Sequence, residues 1–264
     1  MKELIQILKS QYTAQSSTDS PIDLIKLRVD WYNNQKGNLT GYDCPLCKNK
    51  GDYTRVTEDN REVYGICSCM EIRNNIKRAE KSGLKDTIKK YTLDTYQTPC
   101  DWQKSMKKAA IEYIQNPKTW FFAGGQAGSG KTHLCTAITA ELMYKGKSVR
   151  YMPWRDCIIP IKANVTNSEE YLKLTEPLKT VDVLYIDDFF KTPGSVPTAA
   201  DINIAYEILN YRYNADLITI ITSEKNLDEI MRIDIATGSR IFERSKGTSF
   251  IISEDKDKNW RIKS

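Results

Sequence analysis

The chain has 264 residues, a formal net charge of +5 and an apolar fraction of 40%, enough to bury one large domain and a smaller module. It has no run of about 18 apolar residues, and its first ten residues are amphipathic and include Glu3, so neither a membrane span nor a secretory signal is predicted. We therefore expect a cytoplasmic location, where the seven cysteines would be reduced thiols or metal ligands. The modest positive charge permits nucleic-acid contact without requiring it.

Two short helices are predicted near the start of the chain. Apolar residues recur at helical spacing in residues 3–12, where Leu4 and Leu8 share a face, and again in residues 22–32. Neither helix is long enough to persist alone, so each apolar face must pack within the chain or against another protein. We predict that residues 1–40 form a helical partner-docking segment, with packing inside the chain as the alternative.

Four cysteines are arranged as a C-x₂-C pair followed by a C-x-C pair: Cys44, Cys47, Cys67 and Cys69. The segment that contains them, residues 41–72, is too short to form a stable hydrophobic core without a cross-link such as a bound metal, and Zn²⁺ favours tetrahedral thiolate coordination. This spacing predicts a zinc-binding module, with unrelated free thiols as the alternative. Ordinary buried or half-buried thiols are predicted at the three remaining cysteines: Cys100, Cys135 and Cys157.

The rest of the chain divides into a basic segment and an alternating α/β pattern. Residues 73–90 are dense in lysine and arginine and are predicted to be a solvated, helical, basic linker. Across residues 91–264, apolar runs alternate with helical segments, which predicts an α/β domain with a five-stranded parallel sheet. The predicted strands are residues 120–123, 148–151, 183–186, 217–222 and 249–252. Ligand should bind at the carboxyl ends of these strands.

A complete phosphate loop, GQAGSGKT, occupies residues 125–132 between an apolar run and a helical one. Its glycines let backbone N–H groups converge on phosphates, and the following helix adds its positive end. Lys131 would reach the β- and γ-phosphates of a nucleoside triphosphate, and Thr132 would hold Mg²⁺ with Asp187 from the acidic strand. The predicted nucleotide-binding residues are Gly125, Gln126, Ala127, Gly128, Ser129, Gly130, Lys131, Thr132, His133 and Asp187. The alternative is a chance match in a glycine-rich turn.

Seven short motifs follow in a specific order: KSGL at 81–84, GSGKTHL at 128–134, IDD at 186–188, NYRY at 210–213, ITS at 221–223, SRIFER at 239–244 and NWR at 259–261. With the cysteine module, they make residues 42–264 resemble the DnaC/DnaI-type replicative helicase loaders, which are AAA+ ATPases. This resemblance implies an AAA+ fold that binds ATP. A nucleotide kinase would be the simpler rival if the phosphate loop stood alone.

The resemblance also implies a set of catalytic residues: Lys131, Asp187, Asp188, Thr222, Ser223 and Arg244. Thr222 and Ser223 end a strand beside the acidic one, where a sensor hydroxyl would contact the γ-phosphate or the attacking water. The family usually has asparagine next, whereas this chain has Glu224. Asp188 stands where most AAA+ proteins place a glutamate that orients water, and aspartate is one methylene shorter. The loaders and initiators share this Asp-Asp pair, so the resemblance implies slow, switch-like hydrolysis. A helix-capping or solvent-exposed role is the alternative for Asp188.

Arg240 and Arg244 lie four residues apart on a predicted helix and should share one face. Arg244 matches the arginine finger, which completes a neighbouring subunit's active site in trans. The resemblance therefore implies self-association through the ATPase domain. A surface ion pair is the alternative role for each arginine.

Single-stranded DNA contact is implied for an inserted helical pair before the acidic strand. Residues 154–179 occupy this place, and basic groups with aromatics could bind the backbone and stack bases. The candidate residues are Arg155, Lys162, Asn164, Tyr171 and Lys173. A solvated helix face is the alternative.

The implied function is an ATP-dependent loader that binds a hexameric replicative helicase through its N-terminal region, helps place it on single-stranded DNA and needs no membrane. One rival is an IstB-like transposition-helper ATPase, which shares the ATPase motifs but would not need the cysteine module. Another is a zinc-bearing nucleic-acid-binding module with a vestigial nucleotide site. The intact Lys131, Thr132, Asp187 and Asp188 disfavour this last alternative.

Overall fold

The computed structural model describes residues 21–81, 83–192, 194 and 196–262. The chain divides into two compact units between Met70 and Glu71. The helix predicted for residues 3–12 lies outside the described residues. Within the described part of the chain, no helix is long and apolar enough to cross a membrane.

The first unit contains one helix and an antiparallel hairpin. Its elements are α1 (Pro21–Asn34), β1 (Asp52–Val56) and β2 (Glu62–Ile66). The helix predicted for residues 22–32 is thus confirmed. Its last turn packs on the hairpin, because the Asn33 amide donates to the Thr54 carbonyl at 2.8 Å and accepts from the Thr54 N–H at 3.0 Å. Leu24, near the start of α1, remains exposed.

The second unit is a parallel sheet with helices on both faces. Its strands are β3 (Phe121–Gly125), β4 (Val149–Pro153), β5 (Val183–Asp187), β6 (Ile218–Thr222) and β7 (Ser249–Ile252). They lie in the order β4-β5-β6-β3-β7, and each neighbouring pair is parallel. All five predicted strands are confirmed, with small differences at their ends.

The helices that follow α1 are α2 (Cys69–Lys81), α3 (Lys85–Lys90), α4 (Asp101–Gln115), α5 (Lys131–Tyr144), α6 (Trp154–Ala163), α7 (Ser168–Thr180), α8 (Ala199–Asn214), α9 (Leu227–Ile233) and α10 (Ile235–Arg244). Local capping explains where several begin. At the start of α8, the Thr198 hydroxyl accepts from the Asp201 N–H, and the Asp201 carboxylate accepts from the Thr198 N–H. This capping box satisfies two helix-terminal N–H groups.

Successive strand residues place two apolar layers on opposite faces of the sheet. Phe121 belongs to the layer that contains Leu134 and Ile138 of α5. Phe122 belongs to the opposite layer, with Ile204 and Ile208 of α8. Burial on both faces explains why these strands read as continuous apolar runs. It also leaves the edge at the strands' carboxyl ends for polar side chains.

Two sequence-based expectations need correction. Leu84 and Ile88 are buried in the layer that contains Phe121, so the segment predicted to be a solvated linker contributes to the core at these positions. Cys100, the N-cap residue of α4, is exposed rather than buried or half-buried. The other two ordinary thiols are buried or half-buried, as predicted.

Candidate nucleotide site and cysteine cluster

The phosphate loop joins the end of β3 to the start of α5, as the motif requires. Glycine is required at two positions of the loop. Both have positive φ angles, and the C-terminal segment of the chain approaches both closely. A Cβ at Gly125 would lie 2.1 Å from the Ile252 carbonyl oxygen, and one at Gly128 would lie 2.0 Å from Asn259 Oδ1. The Trp260 N–H also donates to the Gly128 carbonyl at 3.0 Å. The NWR motif therefore packs on the phosphate loop, although the two motifs lie far apart in the sequence.

Lys131 is buried at the first turn of α5, with 5% of its surface exposed. Its ammonium donates to the carbonyl oxygens of Gly125 at 2.7 Å and Gln126 at 2.6 Å. Burial lowers the pKa of Lys131 to about 8, while the negative charges of Asp188 and Glu224 act in the opposite direction. The ammonium is thus the major form at pH 7. It supplies a positive charge beside the loop that would hold the phosphates.

Asp187 ends β5 and accepts hydrogen bonds from four hydroxyl groups. The Thr132, Tyr185 and Thr222 hydroxyls donate to Oδ1 at 3.0, 2.9 and 2.5 Å, and the Tyr151 hydroxyl donates to Oδ2 at 2.9 Å. The structure therefore brings Thr132 and Asp187 together, as the prediction requires. A hydroxyl beside a carboxylate is the oxygen donor set that suits Mg²⁺.

Sequence reasoning missed the two tyrosines. Tyr185 lies two residues before Asp187 and so points to the same face of β5, a period-2 signal that could have identified it. Tyr151 is its register partner on β4 and is apparent only once the strands are paired. Burial raises the pKa of both phenols, and the charge of Asp187 raises it further. Both hydroxyls therefore stay protonated and remain donors to this carboxylate.

Thr222 ends β6 and Ser223 follows it, beside the acidic strand β5, as predicted. Both are fully buried, and the Thr222 hydroxyl binds Asp187 and accepts from the Asp188 N–H at 3.0 Å. The Ser223 hydroxyl donates to the Phe189 carbonyl at 2.8 Å. Both hydroxyls thus form hydrogen bonds with residues that end or follow β5, and neither residue lines the pocket over the phosphate loop. Glu224 does so instead.

A pocket of about 220 Å³ lies over the phosphate loop. Its lining is Tyr91, Ala127, Gly128, Ser129, Gly130, Lys131, Thr132, His133, Asp188, Glu224 and Arg261. The rings of Tyr91 and His133 stack with centroids 4.8 Å apart. His133 Nε2 donates a hydrogen bond to the Thr92 carbonyl at 2.9 Å. Burial lowers the pKa of His133, so the ring is neutral at pH 7. Tyr91 was not identified from the sequence, because no motif marks it.

Arg240 and Arg244 both lie near the Tyr213 ring, at 5.5 and 5.9 Å, and so share one face of α10 as predicted. Arg244 Nη1 lies 2.6 Å from Asp216 Oδ1, and Arg240 Nε donates to Asn210 Oδ1 at 3.0 Å. Neither arginine lines the pocket of its own chain. A direct role at a phosphate would therefore need a second copy of the chain.

The helical pair predicted between residues 154 and 179 is present as α6 and α7. Several of its candidate DNA-contact residues already have partners within the chain. Lys162 pairs with Asp201 at 3.0 Å, and Lys173 pairs with Glu169 and Glu170 at 2.8 Å each. Tyr171 donates to Glu207 and Asn164 to the Pro160 carbonyl. Arg155 is exposed.

In the first unit, the four predicted cysteine ligands converge. All four are buried, and their sulfur atoms lie within 4.8 Å of one another. The Sγ atoms of Cys44 and Cys67 are 3.8 Å apart, and those of Cys47 and Cys69 are 3.4 Å apart. Zn–S bonds of about 2.3 Å in a tetrahedron place sulfurs about 3.8 Å apart, so this cluster fits a zinc ion. The hairpin formed by β1 and β2 connects the two pairs.

The electrostatics of the cluster also suit a cation. Burial opposes ionisation of Cys47, but hydrogen bonds from the Gly51 N–H at 3.3 Å and from neighbouring thiols outweigh it and lower the pKa of Cys47 to about 7. A thiolate is the form that binds metal. The net effect is the opposite at Cys67, where burial raises the pKa of the thiol. Four cysteine sulfurs in a unit this small fit a structural metal site rather than a catalytic one, because a closed set leaves no open position.

The sequence profile of the IstB-like ATP binding proteins matches residues 70–243, from α2 to the end of α10. The chain belongs to this family. It is 32% identical over 220 residues to the phage-like element PBSX protein XkdC of Bacillus subtilis (strain 168), with 79% of this chain and 81% of XkdC covered. It is 27% identical over 173 residues to the replicative helicase loader DnaC of Escherichia coli (strain K12), with 63% and 67% covered.

Solved structures of similar fold include the DnaC helicase loader, with a TM-score of 0.51 at 20% identity, covering 62% of this chain and 97% of that one. A DNA replication initiation factor matches with a TM-score of 0.53 at 20% identity over 66% of this chain, which spans about half of that protein. These likenesses confirm the predicted AAA+ fold. The relatives named above confirm the resemblance to DnaC-type loaders.

Proposed function

We propose that this family member is an ATP-dependent loader that binds a hexameric replicative helicase and helps place it on single-stranded DNA. The observation that carries the proposal is the phosphate loop, with Lys131 buried behind it and Thr132 3.0 Å from the strand-end carboxylate of Asp187. The buried four-cysteine cluster distinguishes the chain from a bare ATPase domain.

The nucleotide chemistry follows from residues around the pocket. Lys131 would bind the β- and γ-phosphates, while Thr132 and Asp187 would hold Mg²⁺, which would neutralise charge on the phosphates. Asp188 lines the pocket and would orient the attacking water. Its side chain is one methylene shorter than the usual glutamate, which favours slow hydrolysis suited to a switch. The loader would hold its partner in one nucleotide state and release it in the other.

Helicase capture tests the function as a whole. The tagged full-length protein, incubated with host lysate and ATP, should retain a hexameric helicase that mass spectrometry identifies. Recovery of a transposase instead would favour the second candidate, an IstB-like transposition helper, which the family match supports. A protein that binds no nucleotide in a titration would favour the zinc-bearing module with a vestigial site.

We place the helicase-docking surface in the N-terminal region. The first unit exposes large apolar side chains: Leu46 between two of the cysteines, and Tyr64 and Ile66 on β2, are each more than 70% exposed. Tyr64 and Ile66 are two residues apart on β2 and so share one face of the hairpin, where neighbouring exposed apolar side chains suit protein binding. Residues 1–40 would add an amphipathic helix that lays its apolar face into a groove on the helicase.

Replacing Leu4 and Leu8 together with aspartate should abolish helicase binding, because two charges would have to be buried in the docking groove. Thermal stability and ATP affinity should stay at parental values. Helicase pull-down, thermal unfolding and nucleotide titration measure the three quantities. If the double variant unfolds while a stable N-terminally deleted form still binds helicase, the docking surface lies elsewhere.

We propose single-stranded DNA contact for the helical pair of α6 and α7. Arg155 is exposed there, and Lys162 remains one-third exposed despite its ion pair with Asp201. Lys173 forms exposed ion pairs with Glu169 and Glu170, and such surface pairs are weak enough for a phosphate to displace a carboxylate partner. Such contacts would depend strongly on salt, because binding releases counterions from the strand.

Mixing two inactive variants tests the arginine finger. The Arg244→Ala variant lacks the arginine finger but keeps an intact nucleotide pocket. The Lys131→Ala variant lacks the phosphate-binding lysine of the pocket but keeps the arginine finger. If Arg244 acts in trans, the mixture should recover part of the ATPase activity that each variant lost, because one mixed interface is complete. Phosphate release is measured across a wide range of mixing ratios. No recovery, with association confirmed, would contradict a shared active site.

A further inference from the structure

Lys191 bridges two carboxylates at the edge of the candidate nucleotide pocket. Its ammonium lies 3.0 Å from Asp188 Oδ2 and 2.8 Å from Glu224 Oε1. The carboxylates follow β5 and β6, which are neighbouring parallel strands, so both lie at the edge where the carboxyl ends of these strands meet. Each of the three side chains is between 37% and 40% exposed, which places the bridge at the mouth of the pocket.

Both carboxylates raise the pKa of Lys131, the lysine that would bind the nucleotide phosphates. Asp188 and Glu224 line the same pocket as Lys131, and their negative charge opposes the lowering of the Lys131 pKa by burial. They therefore lie within electrostatic reach of the place where Lys131 would hold the terminal phosphates. A carboxylate without a counterion at this place would repel a γ-phosphate.

Glu224 makes that repulsion a particular problem for this chain. The site already contains two carboxylates with roles in the proposed function: Asp187 would hold Mg²⁺, and Asp188 would orient the attacking water. Glu224 adds a third negative charge that neither role uses. Lys191 contacts Glu224 at 2.8 Å as well as Asp188 at 3.0 Å, so its ammonium offsets the charge that Glu224 adds, and the three groups together carry the net charge of a single carboxylate.

We infer that Lys191 is a specificity-determining residue, whose ammonium neutralises Glu224 so that the site accepts the terminal phosphate of ATP. The inference rests on the proposed ATP-binding function. It requires that loss of the lysine disfavour ATP more than ADP, because only ATP carries the γ-phosphate. It also requires that loss of the glutamate's charge make the lysine dispensable.

The test compares nucleotide affinities of single and double variants. Lys191→Met should weaken binding of a non-hydrolysable ATP analogue about tenfold and of ADP less than about twofold, because the charge of Glu224, no longer offset by Lys191, then adds to that of Asp188 beside the γ-phosphate, which ADP lacks. Lys191→Met with Glu224→Gln should return the ATP-analogue affinity to within about threefold of the parent, since coupled residues show non-additive effects. Isothermal titration calorimetry with Mg²⁺ gives these dissociation constants.

Lys104→Met is the matched control, because Lys104 pairs with Asp101 at 2.9 Å on α4 and does not line the pocket. It should leave both affinities unchanged. Equal weakening of ATP-analogue and ADP binding by Lys191→Met, or no recovery in a double variant that unfolds at the parental temperature, would overturn the inference. A parental protein that binds neither nucleotide would overturn the proposed function, and this inference with it.

Discussion

Lys131→Ala should weaken ATP binding about a hundredfold, because it removes two charge-assisted contacts to phosphate. The ammonium is buried and lies against the phosphate loop, where its donors already reach the Gly125 and Gln126 carbonyls. Alanine offers neither the charge nor the reach. Isothermal titration calorimetry with Mg²⁺ and ATP measures the loss.

Asp188→Asn is the companion variant and should behave differently. It keeps the size of the side chain at the pocket edge but loses the carboxylate that would orient the attacking water. ATP affinity should therefore persist while the hydrolysis rate falls about a hundredfold. If both variants bind ATP and release phosphate at the parental rate, the assignment of this nucleotide site is wrong.

The purified protein should carry about one Zn²⁺ per chain, and Cys67→Ser should release it, because metal affinity in such sites depends on the full set of deprotonated ligands. Cys67 is buried, with its sulfur 3.8 Å from that of Cys44. Without the ion, the hairpin and α1 have too few buried apolar residues to hold their fold. Limited proteolysis should then cut the first unit much faster.

The second unit provides the control for the metal. Cys100→Ser changes an exposed thiol at the start of α4 and should retain both zinc and protease resistance. ATP affinity should remain nearly parental in both cysteine variants, because the phosphate loop belongs to the second unit. Elemental analysis that finds no zinc in fresh, unchelated protein would contradict the site.

Local sequence determined the parts of the site that depend on short spacing. The phosphate loop, the acidic end of β5 and the strands themselves were predicted because glycine geometry and apolar runs act within a few residues. Cysteine spacing likewise predicted a cluster that the fold brings together. The helix at Pro21–Asn34 was found from its apolar periodicity.

Tertiary structure alone decided which side chains surround these motifs. Tyr151 reaches Asp187 because β4 pairs beside β5, and Lys191 reaches Glu224 although they lie on separate loops. The Thr222 hydroxyl donates to Asp187 because β6 pairs beside β5. The hydrogen-bond and charge partners of a side chain depend on strand order and close packing across the whole sheet, and no local pattern in one chain encodes that pairing.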